Sequence, residues 1–403
     1  MGIYRSLLVI AVTVGTLSVA ESAVYAGAFG LDEQGAAAMG RANAFAAQAD
    51  DPTALFYNPA GIGQLSGTQF SLGTTLITPA TTFDNTNSGA STDTSAALFY
   101  PPTLYIVKDM RQDLHIGLGI FTPFGLSTEW PSDWEGRYVT TFSEINTYYL
   151  NPNIAWSPSE GFHLAAGLSY VPSSVTLSSK LDLAPAPDGD LEIEGDGDGW
   201  GYNVAALAEL PANTSLGISF RSAVEIKYSG DATFSPSALG LTEPIDSSLT
   251  LPPILTVGVA NRSFDALTLE ADVQWVGWSQ TTATIDFASL PDATPIDDWE
   301  DSYSLRLGGE HERGPVSLRV GYAYDMTPIP PDKIDPSLPD SDKHTFAVGG
   351  GYNVGNATFD LAYMFITSRD RGVDNSAGGT SFTHRGKYST RVHEAGLGIT
   401  YRF

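Results

Sequence analysis

Leu216-Gly217-Ile218-Ser219-Phe220-Arg221-Ser222-Ala223-Val224-Glu225-Ile226-Lys227-Tyr228 is the stretch on which the fold turns. Leu216, Ile218, Phe220, Val224, Ile226 and Tyr228 share one face, and Gly217, Ser219, Arg221, Ala223, Glu225 and Lys227 share the other. A period of two marks a strand whose two faces meet different surroundings. The pattern returns in Leu267, Leu269, Ala271, Val273 and Trp275, and in Val316, Leu318, Val320, Tyr322 and Tyr324. A soluble sandwich also alternates, with its apolar side inward. Two features favour a barrel in lipid instead. The runs reach about 11 residues, against roughly 5–6 for an average soluble strand, and aromatics sit near run ends, as interfacial girdles do.

The connections alternate between two kinds. Tight ones fall at Lys108–Gln112, Ser157–Gly161, Pro211–Asn213, Asn261–Phe264, Glu312–Gly314 and Asn353–Asn356. Longer polar ones occupy about 82–95, 126–137, 179–199, 229–248, 281–300, 328–341 and 368–386. Together they predict an all-β fold, a transmembrane antiparallel barrel of about 14 strands with both ends on the short-turn side. Tyr100-Pro101-Pro102 makes a poor central strand. The last run, Leu397 to Phe403, is apolar at every second position; Tyr401 and Phe403 read as the C-terminal signal that the outer-membrane assembly machinery recognises.

The first 26 residues read as a cleaved secretory signal, with Arg5, an uncharged apolar run from Leu7 to Ala20, and Val24-Tyr25-Ala26 before Gly27. The run is short of the ~20 residues a spanning helix needs. A net charge of −26 disfavours nucleic acid and anionic surfaces as partners. The absence of cysteine excludes disulfide frameworks and thiolate metal sites.

Residues 27–66 do not alternate. Glu33 to Ala49 is Ala-rich and weakly helical, Asp51-Pro52 starts a short helix, and Asn58-Pro59 ends it. Such a segment is either a periplasmic extension or a plug within the lumen, which a barrel of this size leaves open. At this point the chain resembles the FadL-type outer-membrane transporters of long-chain fatty acids and aromatic hydrocarbons. The resemblance is densest at Gly40-Arg41-Ala42, Asp50-Asp51 and Asn58-Pro59-Ala60. It continues through Phe220 to Val224, Asn261-Arg262, Trp278-Ser279-Gln280, Arg319 to Asp325 and Pro328-Ile329-Pro330. It implies an N-terminal hatch of residues 27–66 (Arg41, Asp50, Asp51, Asn58, Pro59, Ala60) plugging a barrel of residues 67–403. It also implies an apolar lumen and an exit through a gap at a kink in the third strand. The acidic stretch 179–199 departs from the family, which often carries a longer helical excursion there.

The kink has its own mark in the residues. The run from Gln112 places Leu114, Ile116, Leu118 and Ile120 toward lipid, and Gly117, Gly119 and Phe121 toward the lumen. Thr122-Pro123-Phe124-Gly125 then interrupts it: Pro123 cannot donate to a ladder, and Gly125 gives the freedom a bulge uses. A strand that simply ends there is the plainer alternative.

Chemistry is sparse. There is no Gly-x-Ser-x-Gly elbow, no His-Glu-x-x-His, and no Walker or dinucleotide loop, which argues against an acyl hydrolase or any cofactor. Asp188, Asp190, Glu192, Glu194, Asp196 and Asp198 could suggest calcium, yet position 12 of a frame opening at Asp190 is Gly201, and a solvated loop fits better. Arg221, Arg306 and Arg319 face the lumen with Phe121; they either pair with wall carboxylates such as Glu225, Glu270 and Glu310 or meet a ligand carboxylate. The expected function is passive transport of hydrophobic molecules by a hatch-gated barrel, with a general polar porin as the rival. Expected partners are the ligand, outer-membrane lipids with lipopolysaccharide, and the assembly machinery; a closed barrel needs no second copy.

Overall fold

A computed structural model describes residues 27–235, 242–296, 298–376 and 383–403. The signal-peptide reading of residues 1–26 lies outside them. Fourteen antiparallel strands run in chain order. They are β1 (Thr68–Asn85), β2 (Pro102–Arg111), β3 (Leu114–Phe121), β4 (Tyr149–Ser159), β5 (Phe162–Leu181), β6 (Gly189–Leu210) and β7 (Thr214–Arg221, resuming as Val224–Ser235). Then come β8 (Thr242–Leu251 and Ile254–Phe264), β9 (Leu267–Val276), β10 (Ser302–Arg313), β11 (Val316–Asp325), β12 (Lys343–Val354), β13 (Ala357–Ser368) and β14 (Thr383–Arg402). β1 pairs with β14 from Gln69↔Arg402 to Asn85↔Gly386, which closes the sheet and removes its edges.

Leu118, Ile154, Leu168, Val204, Val257 and Leu361 point outward and are exposed, as lipid-facing side chains are. Trp156, Phe162, Tyr352 and Phe403 lie toward the short-turn end of that band, and Trp200, Tyr202 and Phe346 toward the other. The wall continues beyond it. β6 has 22 residues, about twice the 9–11 that a tilted strand needs to cross the membrane.

That extension corrects two readings. The acidic stretch 179–199 is not a loop: β5 runs to Leu181 and β6 starts at Gly189. Asp190, Glu192, Glu194, Asp196 and Asp198 line the exposed face of one strand, and among the described residues no carboxylate group is arranged to hold a metal ion. The run Leu216–Tyr228 also fails to keep one face. Below Ser222-Ala223 the lumen receives Gly217, Ser219 and Arg221; above it the lumen receives Val224, Ile226 and Tyr228, while Glu225 and Lys227 turn outward. Two residues outside the ladder shift the phase, and with a period of two every later side chain changes face. β8 inverts at Pro252-Pro253, with Thr256 and Ala260 inward below and Leu249 and Leu251 inward above. β9 and its continuation Ala283–Phe287 do the same.

Residues 27–66 lie inside the barrel and are almost wholly buried. Their helical content is smaller than expected: Ala36–Met39, Ala54–Tyr57 and a 3-10 turn at Pro59–Gln64. The Ala-rich stretch is broken by left-handed Ala42, Asn43 and Ala49. Asp51 accepts from Thr53 N at 2.7 Å, but the helix begins only at Ala54. Asn58 ends that helix and caps the 3-10 turn, its side chain accepting from Ala60 N. Lumenal glycines make room for this backbone. A Cβ on Gly217 would stand 1.9 Å from Ala46 O, and one on Gly321 would stand 2.1 Å from Arg41 C.

Candidate functional site: an apolar chamber above a buried segment and a broken strand

Above the inversion level the barrel encloses a cavity of about 300 Å³. Its walls include Val175, Ile193, Tyr228, Leu249 and Ile285, and Phe29 of the N-terminal segment also lines it. The phase shifts of β7 to β9 are therefore what turn apolar side chains inward here. A chamber of this size and lining suits an apolar ligand.

Phe29 also begins an aromatic cluster that leads downward. Its ring meets Trp278 at 4.9 Å, Phe124 at 6.0 Å and Trp299 at 6.1 Å. Phe124 continues to Tyr149, Tyr149 to Phe121, and Phe121 to Phe56 and Tyr105. The cluster ends at the interruption in β3. Pairing with β2 stops at Leu104↔Ile120 and pairing with β4 at Phe121↔Tyr149; the chain resumes as Gly125–Glu129 against Phe142–Thr147.

Thr122, Pro123 and Phe124 thus leave the wall ladder, and their polar groups need other partners. Thr147 Oγ1 donates to Phe124 O at 2.6 Å, and the N-terminal segment supplies others. Thr122 N donates to Gln34 Oε1 at 3.1 Å, and Gln34 Nε2 donates to Thr122 O at 2.6 Å. Leu31 N donates to Pro123 O at 2.7 Å, and Gly125 N donates to Phe29 O at 3.0 Å. On the other side no strand ladder joins residues 122–128 to 95–101 among the described residues, although Ser95 N donates to Glu129 O at 2.8 Å. A narrow cleft of about 30 Å³ lies there, lined by Ala97, Phe99, Ser127 and Thr128.

The segment is anchored from β9 and β10. Asp272 Oδ2 accepts from Phe45 N and Ala46 N at 2.9 and 3.0 Å. Glu270 accepts from Ala47 N at 2.6 Å and from Gln48 N at 3.2 Å. Arg41 stacks over Phe45 and reaches Gln48, whose amide donates to Glu310 and Asp50. Asn58 Nδ2 donates to Ala46 O at 2.7 Å and to Ala206 O at 3.2 Å. Burial raises both acidic side chains of the Asp50-Asp51 pair, Asp51 to about 6.

The three lumenal arginines separate. Arg319 pairs with Glu310 and Asp360, and Arg306 with Asp32 and Gln274, as the wall-carboxylate alternative expects. Glu225 is no partner, because it points outward. Arg221 has no carboxylate partner; it lies 5.0 Å from the Phe121 ring and 5.6 Å from that of Tyr149, and donates weakly to Phe56 O at 3.4 Å. Tyr401 and Phe403 sit together on the outer face with rings 4.8 Å apart. Sequence reasoning missed Phe29, Gln34, Glu270 and Asp272 as contacts of the segment. For the last two the signal was present: acids two apart on a lumenal face need buried donors.

A closed 14-stranded barrel with an apolar chamber and a filled lumen has the architecture of an outer-membrane channel. Residues 17–403 match the model of the outer membrane protein transport protein family (OMPP1/FadL/TodX), and the chain belongs to that family. It is 26% identical to an outer membrane protein of Neisseria meningitidis serogroup B, over 95% of this chain and 96% of that one. It is 24% identical to the long-chain fatty acid transport protein of Salmonella typhi, over 95% of each. Among solved structures, a Pseudomonas aeruginosa FadL homologue superposes with a TM-score of 0.84 at 19% identity, covering 94% of this chain and all (100%) of that one. The Pseudomonas putida toluene transporter TodX gives 0.75 at 19% identity, with 94% and 100% covered. Family members are transport channels of the outer membrane, which bears out the transport reading and disposes of the hydrolase.

Proposed function

We propose that this barrel carries hydrophobic molecules inward from the outer surface, with residues 27–66 as a hatch and the Thr122–Gly125 interruption as a lateral exit. Residues 1–26 are removed before the hatch seats. One observation carries the reading: the hatch supplies backbone partners at Thr122, Pro123 and Gly125, where the strand is broken. A hatch that moves away leaves the wall unpaired beside an apolar cluster, next to lipid.

The energetics favour that route. Each methylene moved from an apolar site into water costs about 0.8 kcal/mol, so a long acyl chain released straight downward faces on the order of 10 kcal/mol. Passage through the wall into the bilayer avoids most of it. The relatives named for long-chain fatty acids and for toluene support an apolar cargo of either kind.

Gly30 and Phe124 face each other as a bridge pair. Cysteines at both positions should form a disulfide that locks hatch to wall. Uptake of a hydrophobic substrate should stop on oxidation and return on reduction. Undiminished uptake by the oxidised protein would remove the hatch from the mechanism.

A further inference from the structure

Where the N-terminal segment meets β14, carboxyl groups outnumber cations. Glu33 and Glu394 are 4% and 1% exposed. Asn43 Nδ2 donates to Glu33 Oε1 at 3.2 Å, but Glu33 Oε2 and both oxygens of Glu394 have no hydrogen-bond partner. The charges that reach this pair are Asp32 on the same segment, Arg306 on β10 and Asp325 on β11; Lys343 on β12 lies behind Asp325 and pairs with Asp340. β1 contributes Thr75, whose hydroxyl donates to Glu33 O, and helix Ala36–Met39 contributes Met39, with Met364 of β13 beside it. Arg306 is already engaged by Asp32 and Gln274, and Asp325 by the Ser304 hydroxyl. Asp32, Asp325, Asp272 and Glu33 thus share the one guanidinium of Arg306, and Glu394, reached by Glu33 and Asp32, has no cation acting on it.

We propose that Glu33 and Glu394 form a proton-operated latch that holds residues 27–45 against β14 while protonated and releases them when both side chains ionise. The latch concerns the seating of the segment alone, and stands whether or not cargo leaves through the wall.

Two carboxylates buried side by side without a counter-ion cannot both ionise without a large cost. A protonated carboxyl, in contrast, can donate to its neighbour and satisfy an otherwise orphaned acceptor. Burial first, and then Asp32, raise Glu33 from the usual 4.5 to about 8. The sign follows from proton counting. Between about 4.5 and 8 the seated segment holds a proton that the released one does not, so seating weakens about tenfold per pH unit and levels off above 8. Burial also raises Asp51, to about 6, and Asp50, and Glu270 is a further buried carboxyl bound to the segment, so paired variants and not the raw profile isolate the latch.

The chain has no cysteine, so Ala37→Cys places a single thiol on the buried segment. Its maleimide labelling rate in the full barrel is read from pH 6 to 8 and normalised to exposed Thr86→Cys, which cancels thiol ionisation. The normalised rate should rise close to tenfold per pH unit. Combined Glu33→Gln and Glu394→Gln should flatten it, with heat-modifiability confirming an assembled barrel. Should the double variant fail to assemble, Glu394→Gln alone should move the rise to lower pH. A flat profile in the parent, an unaltered rise in the double variant, or an unmoved midpoint in Glu394→Gln would each overturn the latch.

Discussion

Asp272 shows how single side chains hold the segment. Its carboxylate accepts two backbone N–H groups that no helix or strand satisfies. Asp272→Ala leaves both donors orphaned, at about 1–3 kcal/mol each. Hydrogen exchange at Phe45 and Ala46 should accelerate accordingly while amides of β12 and β13 stay protected; equal protection in the variant would mean that other contacts carry the anchor. Asn58 acts by a different geometry. Its amide joins Ala46 to Ala206 on the wall and its carbonyl caps the following turn. Asn58→Ala should change uptake several-fold in a barrel that still assembles, and transport rates equal to the parent's would reduce it to a turn residue. The helix stop at Asn58-Pro59 was legible in the sequence. The wall contact of Asn58 was not, because a separation of 148 positions between Asn58 and Ala206 hides it from any local pattern.

At the level of elements, alternation revealed most strands and misread two places for physical reasons. In β6 the lumenal positions from Gly195 to Gly199 are glycines opposite outward acids, so a strand has the composition of a loop. Pattern reading relies on apolar contrast, and glycine provides none. In β7 the alternation is real on both sides of Ser222-Ala223, but the shift between them leaves no mark beyond two small residues. Deleting Ser222 and Ala223 together should place Val224 directly after inward Arg221, turning Val224, Ile226 and Tyr228 outward and Glu225 and Lys227 into the chamber. Binding of an apolar fluorescent ligand should then be lost; retained affinity would show that the inversion does not form the chamber. β14 carries a separate demand. Phe403, 77% exposed, completes its outward apolar row. Its replacement by a charged residue should lower the amount of heat-modifiable barrel in the outer membrane, and parental levels would refute its part in assembly.

Across the whole molecule, the lipid-facing band, the chamber and the filled lumen form one arrangement. The lower wall turns its apolar side to lipid, and the upper wall turns it inward to the chamber. Between them the segment blocks the lumen and completes the broken strand. The proposed route for cargo is through that break. Cysteines at Ala97 and Ser127, which both line the cleft between the two wall segments, close it when joined by a disulfide. The oxidised protein should bind a hydrophobic substrate but no longer deliver it, with delivery restored on reduction. Uptake unchanged by the cross-link would contradict it.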